Sequence, residues 1–533
     1  MGDFKKFMSI KRPHLIFLLI ALSLGITFFC QKDALFHQHI VHDDANMYLF
    51  PFYRIQDPQL FQNDILAEYA LRHNSLGTVF IYSFLSRFLD PVILSKILPF
   101  FLCCFSAIYF FLIGEKIKNM YVGFLAAIIF IMYSWTLHCF SGGHARAFPF
   151  LLLSSFIYYL LKKRYHLTAL ILFLQIFIYP PIALVSVFAL LLRVFFRIIG
   201  KQKNEILDNK ESVHDVVLSL SGLFMLGFIY LIPNDFLGPV FGFKEMIHMP
   251  EFFKGGLFPI FIDSLEMLKS QTIAERLTGI SFFSVSTWFL LWVSCFGIFL
   301  LFKKEIAMNS LINIFCIAGF FIYIMAWVFL LKLFFPGRYL KFTFSLFLIF
   351  LNALTLDHLF IQASPERKSL KLFTVSAIVL LLGFPLLNKD LTHFKNEKLY
   401  TFLSSLPKNI VIAGYPVEIN EIPLFSKRKV FINYELSLPL HKNYYQKIKK
   451  RTYDFFRLYY ADSIDQIRDI CTAHHIDYLV IKPEHFTDLY LKKNNLYVEP
   501  FNSEVKKIVA RNRKNGYLLT KIPKKYKLYQ DNK

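Results

Sequence analysis

The sequence predicts an α-helical polytopic membrane protein with about eleven spans, followed by a small α/β soluble domain. Three observations predict it. Of the 533 residues, 56% are hydrophobic, 64 are Phe and only 18% are charged, whereas a soluble domain carries about a quarter charged residues. The apolar residues gather in runs such as 15–30, 92–113 and 282–302, close to the ~20 residues a helix needs to cross ~30 Å of hydrocarbon. After Asn388 the runs stop and polar and apolar residues mix. A backbone inside hydrocarbon must satisfy its own hydrogen bonds, so the runs are read as helices.

The first run follows Lys5, Lys6, Lys11 and Arg12 like the core of a signal peptide. No small-residue cleavage site follows Cys30, so a retained signal anchor is expected. The remaining spans are read at 92–113, 122–137, 147–161, 167–179, 182–199, 216–232, 282–302, 311–335, 339–361 and 372–387. Basic clusters at Lys116/Lys118, Lys162 to Arg164, Arg197 to Lys210, Lys303/Lys304 and Arg367 to Lys371 all become cytoplasmic under one condition. The segment 76–89, interrupted by Arg87, must lie on the membrane or re-enter it rather than cross. The N-terminus is then cytoplasmic, because Lys and Arg stay on that side. Outside lie the long first loop 31–75, the turn 139–146, the loop 233–281 and everything after Asn388. The chain thus divides into a transmembrane region, 1–388, and an extracytoplasmic domain, 389–533.

In that domain 410–413, 430–433 and 478–481 read as strands, with an amphipathic helix at 463–474. Alternating strands and helices predict a parallel sheet in three layers. The turn Ala413-Gly414-Tyr415-Pro416 lacks a glycine-rich phosphate loop, so nucleotide binding is not supported. The basic stretch from Lys506 to Lys527 reads as a solvated tail, or as a contact for anionic lipid headgroups or glycans. The formal charge of +22 does not point to nucleic acid, because most of the cations sit in short loops between spans. The seven Cys show neither metal spacing nor a disulfide framework.

Chemistry is expected in the first outside loop. It carries His37, His39 and His42, then Asp43-Asp44, which opens an amphipathic helix running to Ile55, and farther on Asp64. One of the adjacent carboxylates suffices as a helix cap. The other is at the membrane boundary, where a general base meets a lipid substrate. Three His beside two Asp also have the donors of a metal site. No spacing converges them, so no metal ligand is assigned and a divalent ion stays an alternative to surface histidines. Two cations complete the set. Arg146, in Ser141-Gly-Gly-His-Ala-Arg146, and Arg338, in Phe335-Pro-Gly-Arg338-Tyr-Leu-Lys341, each stand at the outer start of a span. Helix N-termini attract anions and Arg adds a two-pronged donor for phosphate. The bland reading of each is a snorkelling anchor.

These residues and their layout resemble the C-type glycosyltransferase superfamily, and within it an uncharacterised bacterial membrane branch. The resemblance rests on His42-Asp-Asp-Ala-Asn-Met-Tyr48, Phe61-Gln-Asn-Asp64, the Ser-Gly-Gly-x-x-Arg146 turn and Tyr179-Pro-Pro181. Asn74-Ser-Leu-Gly77 stands where such proteins often carry a Pro-Pro-Leu-type element. The resemblance implies an inverting glycosyltransferase of a bacterial inner membrane, with its soluble domain in the periplasm. Its donor would be a polyprenyl-phosphate-linked sugar and its acceptor a lipid, glycan or protein. Asp43 would be the catalytic acid of the first loop, Asp44 its acidic neighbour and Arg338 a lipid-phosphate contact. His42, Asp64, Arg146 and Lys341 complete the expected substrate-binding set. The alternative is a non-catalytic membrane protein, a transporter or a scaffold for envelope glycan assembly. It would call for charges at mid-membrane, and Lys332 and Asp357, both near span ends, are the few candidates.

Overall fold

The computed structural model describes residues 11–42, 44–136, 139–199, 210–232, 234–261, 285–329, 332–333, 335–362, 368–384, 387, 391–513 and 516–521. The chain opens with α1 (Arg12–Phe36), the short strand β1 (Ile40–Val41), and the helices α2 (Ile65–His73) and α3 (Leu76–Leu85). The bundle continues with α4 (Pro91–Ile117), α5 (Met120–Thr136), α6 (Pro149–Leu161), α7 (Tyr165–Ile178), α8 (Pro180–Ile199) and α9 (Lys210–Tyr230). It ends with α10 (Val285–Phe302), α11 (Ser310–Val328), α12 (Gly337–Leu356) and α13 (Lys368–Gly383). A helix therefore stands at each place where a span was expected, α10 being described only from Val285. Among the described residues, six helices are long and apolar enough to cross a membrane, α12 being counted with the π-turn that extends it to Gln362.

The segment expected not to cross forms α3, whose 10 residues reach about 15 Å, half the hydrocarbon thickness. Leu76, Phe80, Phe84 and Phe88 leave an apolar flank of this segment exposed. The opposite flank presses on α7. A Cβ on Gly77 would lie 2.6 Å from Ile178 Cγ1 and 2.9 Å from the Phe177 carbonyl carbon. Only glycine permits that approach.

The basic ends of the helices are tied together by ion pairs. Arg12 meets Glu115 at 3.0 Å, and Lys118 meets the buried Asp357 at 2.7 Å. Arg193 and Arg197 of α8 share Glu211 and Asp215 of α9, with Lys163 on the same Glu211. Asp357, a candidate for a transporter charge, is thus engaged at the end of its helix.

The C-terminal part contains β2 (Thr392–His393), α14 (Glu397–Ser405), β3 (Val411–Gly414), β4 (Lys429–Val430), α15 (Lys442–Tyr459), α16 (Ile464–His474), β5 (Tyr478–Val480) and α17 (Phe501–Asn512). The three expected strands pair in parallel in the order β4-β3-β5. Ser463 caps α16, its hydroxyl accepting from the Gln466 amide at 3.3 Å. The basic residues Lys506, Lys507 and Arg511 ride on α17; the tail from 522 onward lies outside the described residues.

Packing crosses the division drawn at residue 388. One apolar core is made by the bundle helices. A second unites Phe50, Phe61, Tyr69 and Tyr82 of the first loop region with Ile412, Tyr444 and Phe456 of the α/β part. β1 also pairs antiparallel with β2, Ile40 opposite His393 and Val41 opposite Thr392. The first loop and the C-terminal domain are therefore on the same side of the bundle and share one core.

Candidate functional site

The helix expected from the Asp pair to Ile55 is broken. Ala45–Tyr48 forms one turn, and Phe50–Ile55 continues as a 3-10 helix. Pro51 has no N–H to donate to Met47, so an α-helix cannot run through it. Asp44 is at the N-cap position of the first turn, yet its side chain makes no capping bond. The capping reading fails for Asp44. Asp43 lies outside the described residues.

The Asp44 carboxylate is used elsewhere. Its Oδ2 is 3.0 Å from Arg146 Nη1, 3.1 Å from His144 Nε2 and 4.0 Å from His42 Nδ1. The other terminal nitrogen of Arg146 contacts the His42 ring, and the Asp44 amide donates to His42 Nδ1 at 3.0 Å. The rings of His42 and His144 lie 5.3 Å apart. Residues from the first loop and from the turn between α5 and α6 thus close on one point.

Two glycines make the meeting feasible. Gly142 and Gly143 have φ of +82° and +59°, a left-handed turn that side chains resist. A Cβ on Gly142 would meet His144 Nδ1 at 2.8 Å and His42 Cβ at 2.9 Å, and one on Gly143 would meet the Ser95 carbonyl at 2.7 Å. The turn is also held from α3, where the Tyr82 hydroxyl donates to the Gly143 carbonyl at 3.2 Å.

Burial works against the charge on Asp44, but the polar contact with His144 and the charge of Arg146 outweigh it. The carboxyl is held far below the usual carboxylate range. Burial pushes His144 down to about 4, against the pull of Asp44, so its imidazole is neutral at physiological pH. Burial and the Asp44 charge together push the Tyr48 hydroxyl up.

Arg338 and Lys341, one turn apart at the start of α12, belong to the same neighbourhood. Arg338 lies over the Phe335 ring, 5.3 Å from its centroid, and its charge acts on the Tyr179 hydroxyl. The charge of Lys341 acts on the Cys139 thiol, at the start of the glycine turn. The charges of Arg146 and Arg338 both act on Tyr48 and on Tyr179. A column of rings leaves the site for the soluble domain: Tyr48 stacks on His73, His73 on Tyr69, and Tyr69 on Tyr444 at 3.8 Å. Burial holds His73 down near 3, hence neutral.

The remaining residues lie outside this cluster. The three histidines separate, and only His42 joins Asp44. His39 Nδ1 pairs with Glu397 at 3.1 Å and packs on Tyr400 and Phe425. Asp64 makes a helix-capping contact. Its Oδ1 accepts from the Leu66 amide at 3.0 Å, capping α2 in the second core, with the charges of Arg451 and Arg54 nearby. His144 was missed as a site residue. The signal available was its place on the same tight turn as Arg146, separated from it by one residue.

His42, Asp44 and His144 offer donors within 4.8 Å of one another, a spacing that by itself suits a metal ion. The ring nitrogens of His144 make no well-directed hydrogen bond, which also favours a ligand there. Against both stands Arg146. Its guanidinium contacts Asp44 Oδ2 and the His42 ring, two of the three groups that an ion would share. With that arginine in place the donor set does not fit a metal.

No protein-family model and no curated protein matches the chain. Solved structures do match it. The oligosaccharyltransferase of Archaeoglobus fulgidus, crystallised in complex with zinc and sulfate, gives a TM-score of 0.53 at 11% identity, over 89% of this chain and 69% of that one. AglB of the same organism, in complex with an inhibitory peptide and a dolichol-phosphate, gives 0.53 at 12% identity, over 91% and 71%. The apo form gives 0.52 at 12%, over 90% and 71%. At such identities the likeness is one of fold. The chain shares the fold of these oligosaccharyltransferase structures.

Proposed function

We propose that this protein is a membrane glycosyltransferase that moves a sugar from a polyprenyl-phosphate-linked donor to a lipid, glycan or protein acceptor. By its resemblance it acts at the periplasmic face of a bacterial inner membrane, its eleven apolar helices crossing and its soluble domain outside. One observation carries the reading. An ionised carboxylate, two imidazoles and the cations Arg146, Arg338 and Lys341 gather where the first loop and the starts of α6 and α12 meet. That is where a lipid carrier presents its phosphate and a polar acceptor arrives from water.

The division of labour follows from the charges. Arg338, with Lys341 one turn on, offers donors and the helix N-terminus to the phosphate that leaves with its charge. Arg146 is already committed to Asp44. That contact and the one with His144 make Asp44 a weak base, so it suits holding and orienting the acceptor. Asp43 is then the carboxylate that takes the acceptor's proton. The acceptor oxygen or nitrogen forms the new bond to the sugar as the bond to the phosphate breaks.

The test is turnover in membranes with a polyprenyl-phosphate sugar. A general base contributes about 10²–10⁴-fold to rate. Asp43→Asn is expected to lose that much, with Asp44→Asn and Arg338→Ala also strongly impaired and thermal stability measured alongside. Full activity in Asp43→Asn, Asp44→Asn and the double variant would sink the reading.

A further inference from the structure

A solved structure of like fold was crystallised with zinc, which raises the question of a metal centre in this chain. The cluster even supplies the donors, His42, Asp44 and His144, within 4.8 Å of one another. The side chain that lies among them argues otherwise. Arg146 Nη1 is 3.0 Å from Asp44 Oδ2, and its Nη2 contacts His42 Nε2 and lies 3.4 Å from Nδ1. The contacts of one guanidinium thus fall on two of the three donors.

We infer that Arg146 is the resident cation of this site: its guanidinium takes the position of a divalent metal, and the cluster binds none while that side chain is present. The chemistry is consistent. A guanidinium is planar, always charged and offers paired N–H donors that match a carboxylate. A divalent ion on the same oxygen would face that positive charge at contact distance. The arrangement is also anchored. The Gly142-Gly143 turn, packed against Ser95 and Tyr82, carries His144 and Arg146 into place together. Arg146 therefore arrives with the third donor instead of reaching in from a flexible surface.

A consequence for turnover rests on the proposed glycosyltransferase reading: sugar transfer should persist in a chelator. The occupancy itself is tested without any activity. The full chain is purified in detergent, stripped with EDTA and titrated with Zn²⁺ and Mn²⁺, following melting temperature and bound metal per chain. Wild type is expected to show no stoichiometric binding and no metal-dependent shift in melting temperature. Arg146→Ala is expected to gain one Zn²⁺ per chain, with a rise in melting temperature that adding His42→Ala removes. One equivalent of metal on wild type, lost in His42→Ala, would overturn the inference. So would a folded Arg146→Ala that binds none, since the guanidinium would then not be holding a metal's place. If Arg146→Ala does not fold, the wild-type titration, with His42→Ala as its control, decides alone. No transfer by wild type, with or without chelator, would instead count against the glycosyltransferase reading and leave the occupancy test standing.

Discussion

The ammonium of Lys96, in the second turn of α4, donates to the carbonyl of His37 at 3.0 Å and reaches that of Gln38 at 3.4 Å. Next to it, the Ser95 carbonyl is the surface on which Gly143 packs. Two consecutive residues of α4 thus support both arms of the site: the strand leading to His42 and Asp44, and the turn carrying His144 and Arg146. Lys96 is buried, so removing its charge leaves two carbonyls without their donor. Lys96→Met is expected to cost about 1–3 kcal/mol of stability. It should also lower transfer beyond what the lost folded fraction explains. Lys96→Arg should restore most of both. Unchanged kinetics in a folded Lys96→Met would show that α4 does not position the site.

The glycine turn can be tested against a control of like conformation. Gly142 and Gly255 both have left-handed φ, at +82° and +81°. A Cβ on Gly255 meets nothing within 4 Å, whereas one on Gly142 strikes His144 and His42. Gly255→Ala should cost only the backbone strain, about 1–2 kcal/mol. Gly142→Ala should cost the same strain and displace both imidazoles, losing transfer far more steeply. Similar kinetic losses in the two variants would detach the histidines from function.

Asp64 provides a pH test. Burial raises its carboxyl from 3.8 to about 6. The folded pKa lies above the unfolded one, so the native state disfavours the ionised form. The resulting penalty is absent at low pH, grows as pH rises through this range and is full above it. Its upper bound is about 3 kcal/mol. Asn keeps the cap on α2. Asp64→Asn should therefore match wild type near pH 4, be the more stable protein at pH 7 to 8, and retain transfer. A loss of transfer at unchanged stability would instead support Asp64 as a substrate-binding residue.

Orientation follows from the pairing of Ile40 with His393, which puts the soluble domain on the side of the first loop. With the basic loops held inside, a C-terminal alkaline phosphatase fusion should be active and a C-terminal fluorescent protein dark. The reverse result would invert the topology and the site with it.

How much could be read from the sequence depended on the range of the interaction. Helix positions were legible because a span announces itself by local composition, and α3 because its apolar run is short and carries Arg87. The strands near 411, 430 and 478 were legible for the same reason. Within the site, Arg146, Arg338 and Lys341 were marked by glycine and by their place at the start of a span, both local signals. The break at Pro51 was also local and was overlooked.

What the sequence by itself determined, then, is a run of apolar helices, a basic face, an α/β tail, and an acidic first loop paired with arginines at helix starts. Only the tertiary structure decided which of these residues meet. His42 joins Asp44 while His39 turns to Glu397, Asp64 goes to a cap, and His144 arrives from a turn a hundred residues away. The physical reason is that such contacts are made between elements brought together by burial of two separate cores. No periodicity along the chain records that Gly143 must rest on Ser95, or that Arg146 then lies against Asp44.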